Sequence, residues 1–480
     1  MLKRIAPLLL LLCLRAGAQT TTPMPAAELA DKIRGGLLGQ ILGDLNGLKH
    51  EMKYIAEPGN VESYVPALSE GAWTDDDTDI EWVYLFGMER SKRLYLPRER
   101  ISELWRAHIN RNIWCSHKYL RQLMNLGIDP PLTGSVHLNP WAAFNLSGQF
   151  VSESWGLISP GMPRTAARLS TYYLHTSVDG EPIQAAQMFA TMIATAFLTS
   201  DMNRILDAGA AALDPKSEMA QVLADVRRWH RENPRDWRAA RAQIKKKYTL
   251  FPGDDIRDRN GVLLNGAATI AALLYGQGDF AETVRHAFNF GWDADNTAAT
   301  SGTIVGVIRG HKWMMAQGWV VQDRFRNTSR DGLPDETITR FGDRLIRVAE
   351  RNIVEAGGTI GDGVCQIRTE RPANVEPRQD PSAQLAQMRV NLGGEIESAI
   401  AAPDSEQAAA RAAYLAIALD LAPAIRQKDA RGWQSAVTAL SGYAELMQVL
   451  FYDAPGAAGE RLRTAAVAAG LERPEKKAQK

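Results

Sequence analysis

Apolar residues recur at three- and four-residue spacing along nearly the whole chain. Leu29, Ile33, Leu37, Leu38, Ile41, Leu42 and Leu45 form one such stripe, which predicts a helix. Gly35, Gly39, Gly43 and Gly47 lie four apart on the same helix. Glycine is unfavourable inside helices, so a glycine stripe predicts another helix passing very close. The alternative is a flexible glycine-rich loop, but the apolar residues keep their phase across it. A second helix starts near Thr78 and carries Ile80, Val83, Tyr84 and Gly87. Further helical stretches are predicted at 98–125, 161–175, 183–197, 217–230, 235–246, 262–275 and 279–290. Another covers 297–308, with Ala298, Gly302 and Gly306 again four apart. Strand signals are weak and scattered. An all-α core is the simplest account.

The stretch 371–381 holds Pro372, Pro377 and Pro381 amid charges, the composition of a linker. Beyond it, 382–480 is rich in alanine and helical in pattern, read as a separate helical bundle or appendage. The Lys/Glu-rich end from Arg473 is read as a frayed tail. At the other end, Lys3 and Arg4 precede an apolar run from Ile5 to Leu14 and a small-x-small pattern, Ala16-Gly17-Ala18. This is the pattern of a signal peptide over 1–18, and predicts an exported protein, periplasmic or secreted. The alternative is a buried N-terminal helix. The run is too short for a transmembrane helix, and no later stretch is long and apolar enough for one. The expected organisation is therefore a signal peptide over 1–18, a main helical region over 19–370, a linker over 371–381 and a C-terminal helical region over 382–480.

Lys+Arg and Asp+Glu both total 55, for a formal net charge of zero. A balanced chain gives no support to nucleic acid or an anionic membrane as a partner. Past the signal peptide two cysteines remain, Cys115 and Cys365. They form either one disulfide or two free thiols. There is no Cys-x-x-Cys and no His pair at zinc-ligand spacing.

Two clusters carry candidate chemistry. In Trp73-Thr74-Asp75-Asp76-Asp77-Thr78-Asp79, four carboxylates fall within five residues. They repel one another unless something positive sits among them. Asp and Thr suit a helix N-terminus, but three adjacent Asp exceed what a cap requires. Hard divalent cations prefer such oxygens. From this motif alone, a metal site and a capping loop stand about level. In Gly291-Trp292-Asp293-Ala294-Asp295-Asn296-Thr297, Asp-x-Asp-Asn offers three oxygen ligands, again at a helix start. Alone it reads more readily as a capped turn. Together, two oxygen-only clusters at one end of a bundle would make a two-metal carboxylate site, with Glu51 as a third contributor. Trp73 and Trp292 flank the clusters; either they stack on a substrate ring or they pack the cleft wall. His50 and His175 carry the same choice between substrate and structural roles. Asn145-Leu146-Ser147 fits a glycosylation sequon.

The order of these pieces resembles the ADP-ribosylglycohydrolase family over about 28–320. The pieces are a glycine-striped helix with Gly43-Asp44 and a later Glu51, then Asp76-Asp77-Thr78, then Gly-x-Asp-x-Asp before an Ala/Gly-rich helix. Trp155-Gly156-Leu157, Pro160-Gly161-Met162-Pro163, Asp179-Gly180 and Asn265-Gly266 lie between. The resemblance implies an all-α orthogonal helical bundle, here with a C-terminal helical appendage, holding two Mg2+ ions in a cleft, with Mn2+ or Ca2+ as alternatives. Carried over residue by residue, the family's first ligand set falls on Asp75, Asp76 and Asp77; a second register uses Thr74, Asp75 and Asp76. The second set falls on Asp293, Asp295 and Asn296, where Asn replaces the family's Thr.

The activity implied is cleavage of a glycosidic bond at the ribose of ADP-ribosyl or related glycosyl or nucleoside compounds. The substrate is a small molecule or an ADP-ribosylated one. Glu51, Asp76 and Asp293 are the candidate catalytic residues. The competing readings are a metal-dependent phosphoester hydrolase on the same scaffold and a non-catalytic ligand-binding paralogue.

Overall fold

The glycine stripe is a backbone-to-backbone helix contact. In the computed structural model, which describes residues 20–251, 253 and 255–477, helix Ala26–Gly47 lies along helix Ala294–Arg309. A Cβ added at Gly39 would come 2.2 Å from the Gly302 carbonyl oxygen, and one at Gly43 2.2 Å from that of Ala298. A Cβ at Gly47 would sit 2.4 Å from Cα of Asp295. The small residues of both helices face each other, so the two backbones touch where larger side chains would hold them apart. The stretch 1–18, and with it the expected signal peptide, lies outside the described residues.

The all-α reading holds, and helices account for most of the molecule. The expected helix over 98–125 is two, Arg98–His108 and Cys115–Asn125. The first helix ends where Ile109 leaves helical backbone (φ −113°, ψ 81°), and left-handed backbone at Asn112 (φ 50°) and Cys115 (φ 49°) redirects the chain into the second. Arg330 holds the break open by donating to the carbonyls of Arg111 (2.5 Å) and Asn112 (3.2 Å). Hydrophobic periodicity runs across this interruption, so spacing alone did not reveal it.

The few strands are short. Thr21–Pro25 pairs antiparallel with Val364–Arg368, which also pairs with Thr359–Gly361. Ala72–Trp73 pairs in parallel with Phe325–Arg326. That pairing continues as Thr74 N–H donates to the Arg326 carbonyl at 2.9 Å, and it fixes the chain directly ahead of the first Asp cluster.

The described residues form two apolar cores. The larger is built around the paired helices and contains Ile33, Leu37, Ile80, Trp155, Phe189 and Ile304. The second belongs to the C-terminal helices, but Tyr119, Leu123 and Leu126 of helix Cys115–Asn125 are part of it. The Tyr119 and Tyr414 hydroxyls bond at 2.9 Å inside this core. The proline-rich stretch before these helices is laid down on helix Glu181–Ala196. Gln187 Oε1 accepts from the amides of Val375 and Glu376 at 2.9 and 3.0 Å, and His175 Nε2 meets Glu376 Oε1 at 2.6 Å. Burial works against protonation of His175, but Glu376 outweighs it and its pKa is raised. His175 is thus a structural clasp. The C-terminal tail is tied rather than frayed through Lys477: Gln448 binds the Glu475 carbonyl at 2.7 Å and the Lys477 amide at 3.1 Å. Cys115 and Cys365 are both free. Among the described residues no helix is long and apolar enough to cross a membrane.

Candidate functional site

Each Asp cluster opens a helix, and the shared helix contact brings the two openings together. Asp75 occupies the N-cap of Asp76–Ser91 and Asp293 that of Ala294–Arg309, yet neither side chain closes a capping hydrogen bond. Asp201, Asp236, Asp279 and Asp380, at other N-caps of this chain, do close one. The carboxylates of the two clusters are therefore not spent on capping. The turn before Asp293 is set by Gly291 (φ 78°) and Trp292 (φ 55°). A Cβ at Gly291 would fall 2.1 Å from the Tyr54 carbonyl oxygen, so only glycine fits there.

Oxygens of Asp44, Asp75, Asp77 and Asp295 lie within 4.8 Å of one another, and so do those of Glu51, Asp293 and Asp295. Asp295 belongs to both groups. Asp44, part of the Gly43-Asp44 motif, joins the ligands expected from the sequence. It sits on the buried side of the glycine-striped helix with no exposed surface, and neither of its carboxylate oxygens has a hydrogen-bond partner. Its signal was an acid seven residues after Leu37, on the apolar stripe itself. Glu51 lies in the turn just beyond the same helix, exposed, with its carboxyl end toward Asp293 and Asp295. Asp76 lines the cleft beside these groups, but its oxygens fall outside both.

Asn296 spans the clusters. Its Nδ2 donates to Asp77 Oδ1 at 2.9 Å, while its own Oδ1 is buried and without a partner. Asp293 is steadied by Asn265, whose Oδ1 accepts from its amide at 3.0 Å. Behind the first cluster, Gln40 donates to the Asp77 carbonyl at 3.0 Å and to Glu81 at 3.2 Å. Thr74 turns away from the centre: its hydroxyl bonds that of Thr328 at 3.0 Å.

The electrostatics are those of an anion-rich pocket short of positive charge. Burial, and then repulsion from Asp75 and Asp295, holds the Asp44 carboxyl well above the ordinary range. Burial raises Asp76, Asp77 and Asp293 in the same way, with neighbouring Asp residues adding to it. Asp295 is pushed up to about 8 by burial, with Glu51 and Asp75 next. Asp75 is raised by burial, against the pull of the nearby Asp77 amide and of Arg330. Arg330 is the fixed cation here, fully buried and paired with Asp79 at 2.7 Å. It is committed to Asp79 and to the backbone at 111–112, so it eases Asp75 and Asp76 only in part and leaves both raised. Unpartnered, buried oxygens on Asp44, Asp295 and Asn296, with several carboxylates in reach of one point, fit hard divalent cations.

The acids face a cleft of about 320 Å3, with Trp114, His117, Asn145, Phe150 and Asn260 also on its walls. Asn145 is buried and accepts from Ser116 at 3.0 Å, so the sequon is wall rather than surface. Trp292 is buried beneath the Arg241 guanidinium, 4.6 Å from its ring centre. His50 packs on Phe288 at 4.7 Å, its pKa lowered to about 4 by burial and by Lys49 and Lys53. Both are packing residues.

The model of one family, ADP-ribosylglycohydrolase, matches residues 25–358. The chain belongs to the ADP-ribosylglycohydrolase family. Members of this family are hydrolases acting on glycosidic bonds, and so is this protein. The matched stretch contains both Asp clusters, Asp44 and Glu51, and stops short of the proline-rich segment and the C-terminal helices. No curated protein matches the chain.

Proposed function

We propose that this ADP-ribosylglycohydrolase-family protein is an exported, magnesium-dependent glycohydrolase that cuts a glycosidic bond at the ribose of an ADP-ribosyl, nucleoside or related glycosyl compound. The observation that carries this reading is the pair of acidic groups sharing Asp295. Asp44, Asp75, Asp77 and Asp295 would hold one ion, and Glu51, Asp293 and Asp295 a second. Asp76 and Asn296, both named from the sequence as ligands, stand beside them. When bound, such a pair supplies positive charge that orients sugar hydroxyls and lowers the pKa of water.

The protein's own groups do the rest. Carboxylates around the anomeric carbon favour an oxocarbenium-like transition state. Glu51 is the exposed acid of the second group; the carboxylate oxygen it does not give to the ion would be the one to take a proton from the attacking water. Asp293, fixed by Asn265, orients what lies above it. Export is supported by Lys3-Arg4, the run Ile5 to Leu14 and Ala16-Gly17-Ala18; a mature N-terminus at Gln19 in the periplasm or medium is the expected result.

Assay of the purified protein with Mg2+ against ADP-ribosyl conjugates, nucleosides and phosphoesters tests the activity. Free sugar without free phosphate is expected; phosphate without sugar would favour the phosphoesterase reading. Asp293→Ala with Asp295→Ala abolishes turnover and leaves the helical circular dichroism intact if the assignment holds.

A further inference from the structure

A second cavity, of about 460 Å3, opens beside the acidic cleft. Trp114, Cys115 and Ile256 line both, so the two are continuous along one wall. The far wall of the second cavity comes from the C-terminal helices, through Val449, Tyr452 and Ala454. Its inner side is Tyr119 and Trp141. Resting on the glycohydrolase reading above, we infer that this cavity seats a planar, uncharged aromatic group carried by the substrate, joined to the sugar held over the acids.

Three features point to that occupant. The lining is mostly apolar and aromatic, the surface that flat rings favour. Its charged residues, Lys118 and Asp453, pair with each other at 2.6 Å, so the wall offers no uncommitted charge to an ionic group. Trp114, at the boundary of the two cavities, is 64% exposed. A large aromatic so placed, at the N-cap of helix Cys115–Asn125 and with no side-chain capping hydrogen bond, presents a face to whatever crosses from one cavity to the other. The segment 449–455 that forms the outer wall lies outside the stretch matched to the family. The aromatic seat is thus shared: Trp114, Tyr119 and Trp141 come from the matched stretch, and the C-terminal helices close it with Tyr452.

The test compares phenyl riboside with methyl riboside, both anomers of each, on the full-length protein with Mg2+. Binding is read by calorimetry and turnover is read separately. Phenyl riboside is expected to bind about tenfold more tightly than methyl riboside, the contribution of one good ring contact. Trp114→Ala and Tyr452→Ala are each expected to bring that ratio close to one, and Trp114→Phe to keep most of it. Thermal melts confirm that each variant is folded; Trp114, being exposed, is the substitution least able to disturb the core. Where turnover is seen, the change falls on KM rather than kcat. Preferential binding lost in these variants supports the aromatic seat even if no sugar is released, in which case the glycohydrolase reading alone fails. Equal or undetectable binding of both ribosides, or a preference that survives both alanine variants, overturns the seat even if turnover is observed.

Discussion

Asn296 donates to Asp77 at 2.9 Å, and 219 positions of sequence separate them. This one hydrogen bond ties the second acidic cluster to the first. It also aims the free amide oxygen of Asn296 into a buried place where no protein donor meets it.

Removing that tie loosens an Asp oxygen of the first group without removing a carboxylate. Asn296→Ala is expected to weaken divalent-ion binding by about tenfold to a hundredfold, as loss of a supporting hydrogen bond at a metal site does. Calorimetric titration with Mn2+ and Mg2+ measures it. Affinity within twofold of the unsubstituted protein would count against Asn296 as bridge or ligand.

Asp44 makes a sharper case. Asp44→Asn removes a buried acid that has no partner of its own. In metal-free buffer the variant is expected to melt at least as high as the parent, with the gap widening as pH rises. The parent gains about 2.7 kcal/mol when a divalent ion is present at a hundred times its Kd, and the variant is expected to lose most of that gain. A variant stabilised by Mg2+ as much as the parent would remove Asp44 from the ion's surroundings.

The pH dependence follows from raised carboxyl pKa values. Asp295 has an ordinary value of 3.8 and a folded value of about 8. Between these the unfolded chain gives up the proton that the folded protein keeps, so folding is progressively disfavoured as pH rises through the window. Metal-free protein should melt lower at pH 8 than at pH 5, other groups being equal. Added Mg2+ competes with those protons and should stabilise more at the higher pH. Melting curves from pH 4 to 9, with Mg2+ or with chelator, check both signs; metal-free stability that climbs from pH 5 to 8 would contradict the acids' assignment.

Gly302→Ala tests the frame. Its Cβ would lie 2.5 Å from the Gly39 carbonyl oxygen, and backbone must shift to admit it. A loss of about 3 kcal/mol is expected, with divalent affinity falling further because Asp44 and Asp295 ride on the two helices pushed apart. Ser301→Ala, one position away, is the control; chemical denaturation and titration report the difference.

Much of this is legible in the sequence. The glycine stripes announced a close helix pair, and the two acidic clusters announced themselves by having more carboxylates than caps need. Asp44 was hidden because it stands singly, four residues from Gln40 on an otherwise apolar face; clusters draw attention and isolated acids do not. The helix break at 109–114 was hidden because Ile109 and Ile113 stay buried and keep the periodicity going, while the residue that braces it, Arg330, arrives from two hundred residues away. The tie between helix Cys115–Asn125 and the C-terminal helices could not be read locally, since Tyr119 carries no mark of its distant partner Tyr414. The same holds for the proline-rich stretch, whose composition spells a linker and whose hydrogen bonds make it a strap.

The contact between the two glycine-bearing helices also bears on how such a protein can drift. Where side chains set the distance between two elements, a lost methylene in one is offset by a gained one in the other, and sequences wander. Here main-chain atoms set it, so those positions have no compensating partner to change with. The spacing of the acids is insulated from repacking elsewhere in the core, and substrate preference is free to diversify along the rim while the cradle stays put.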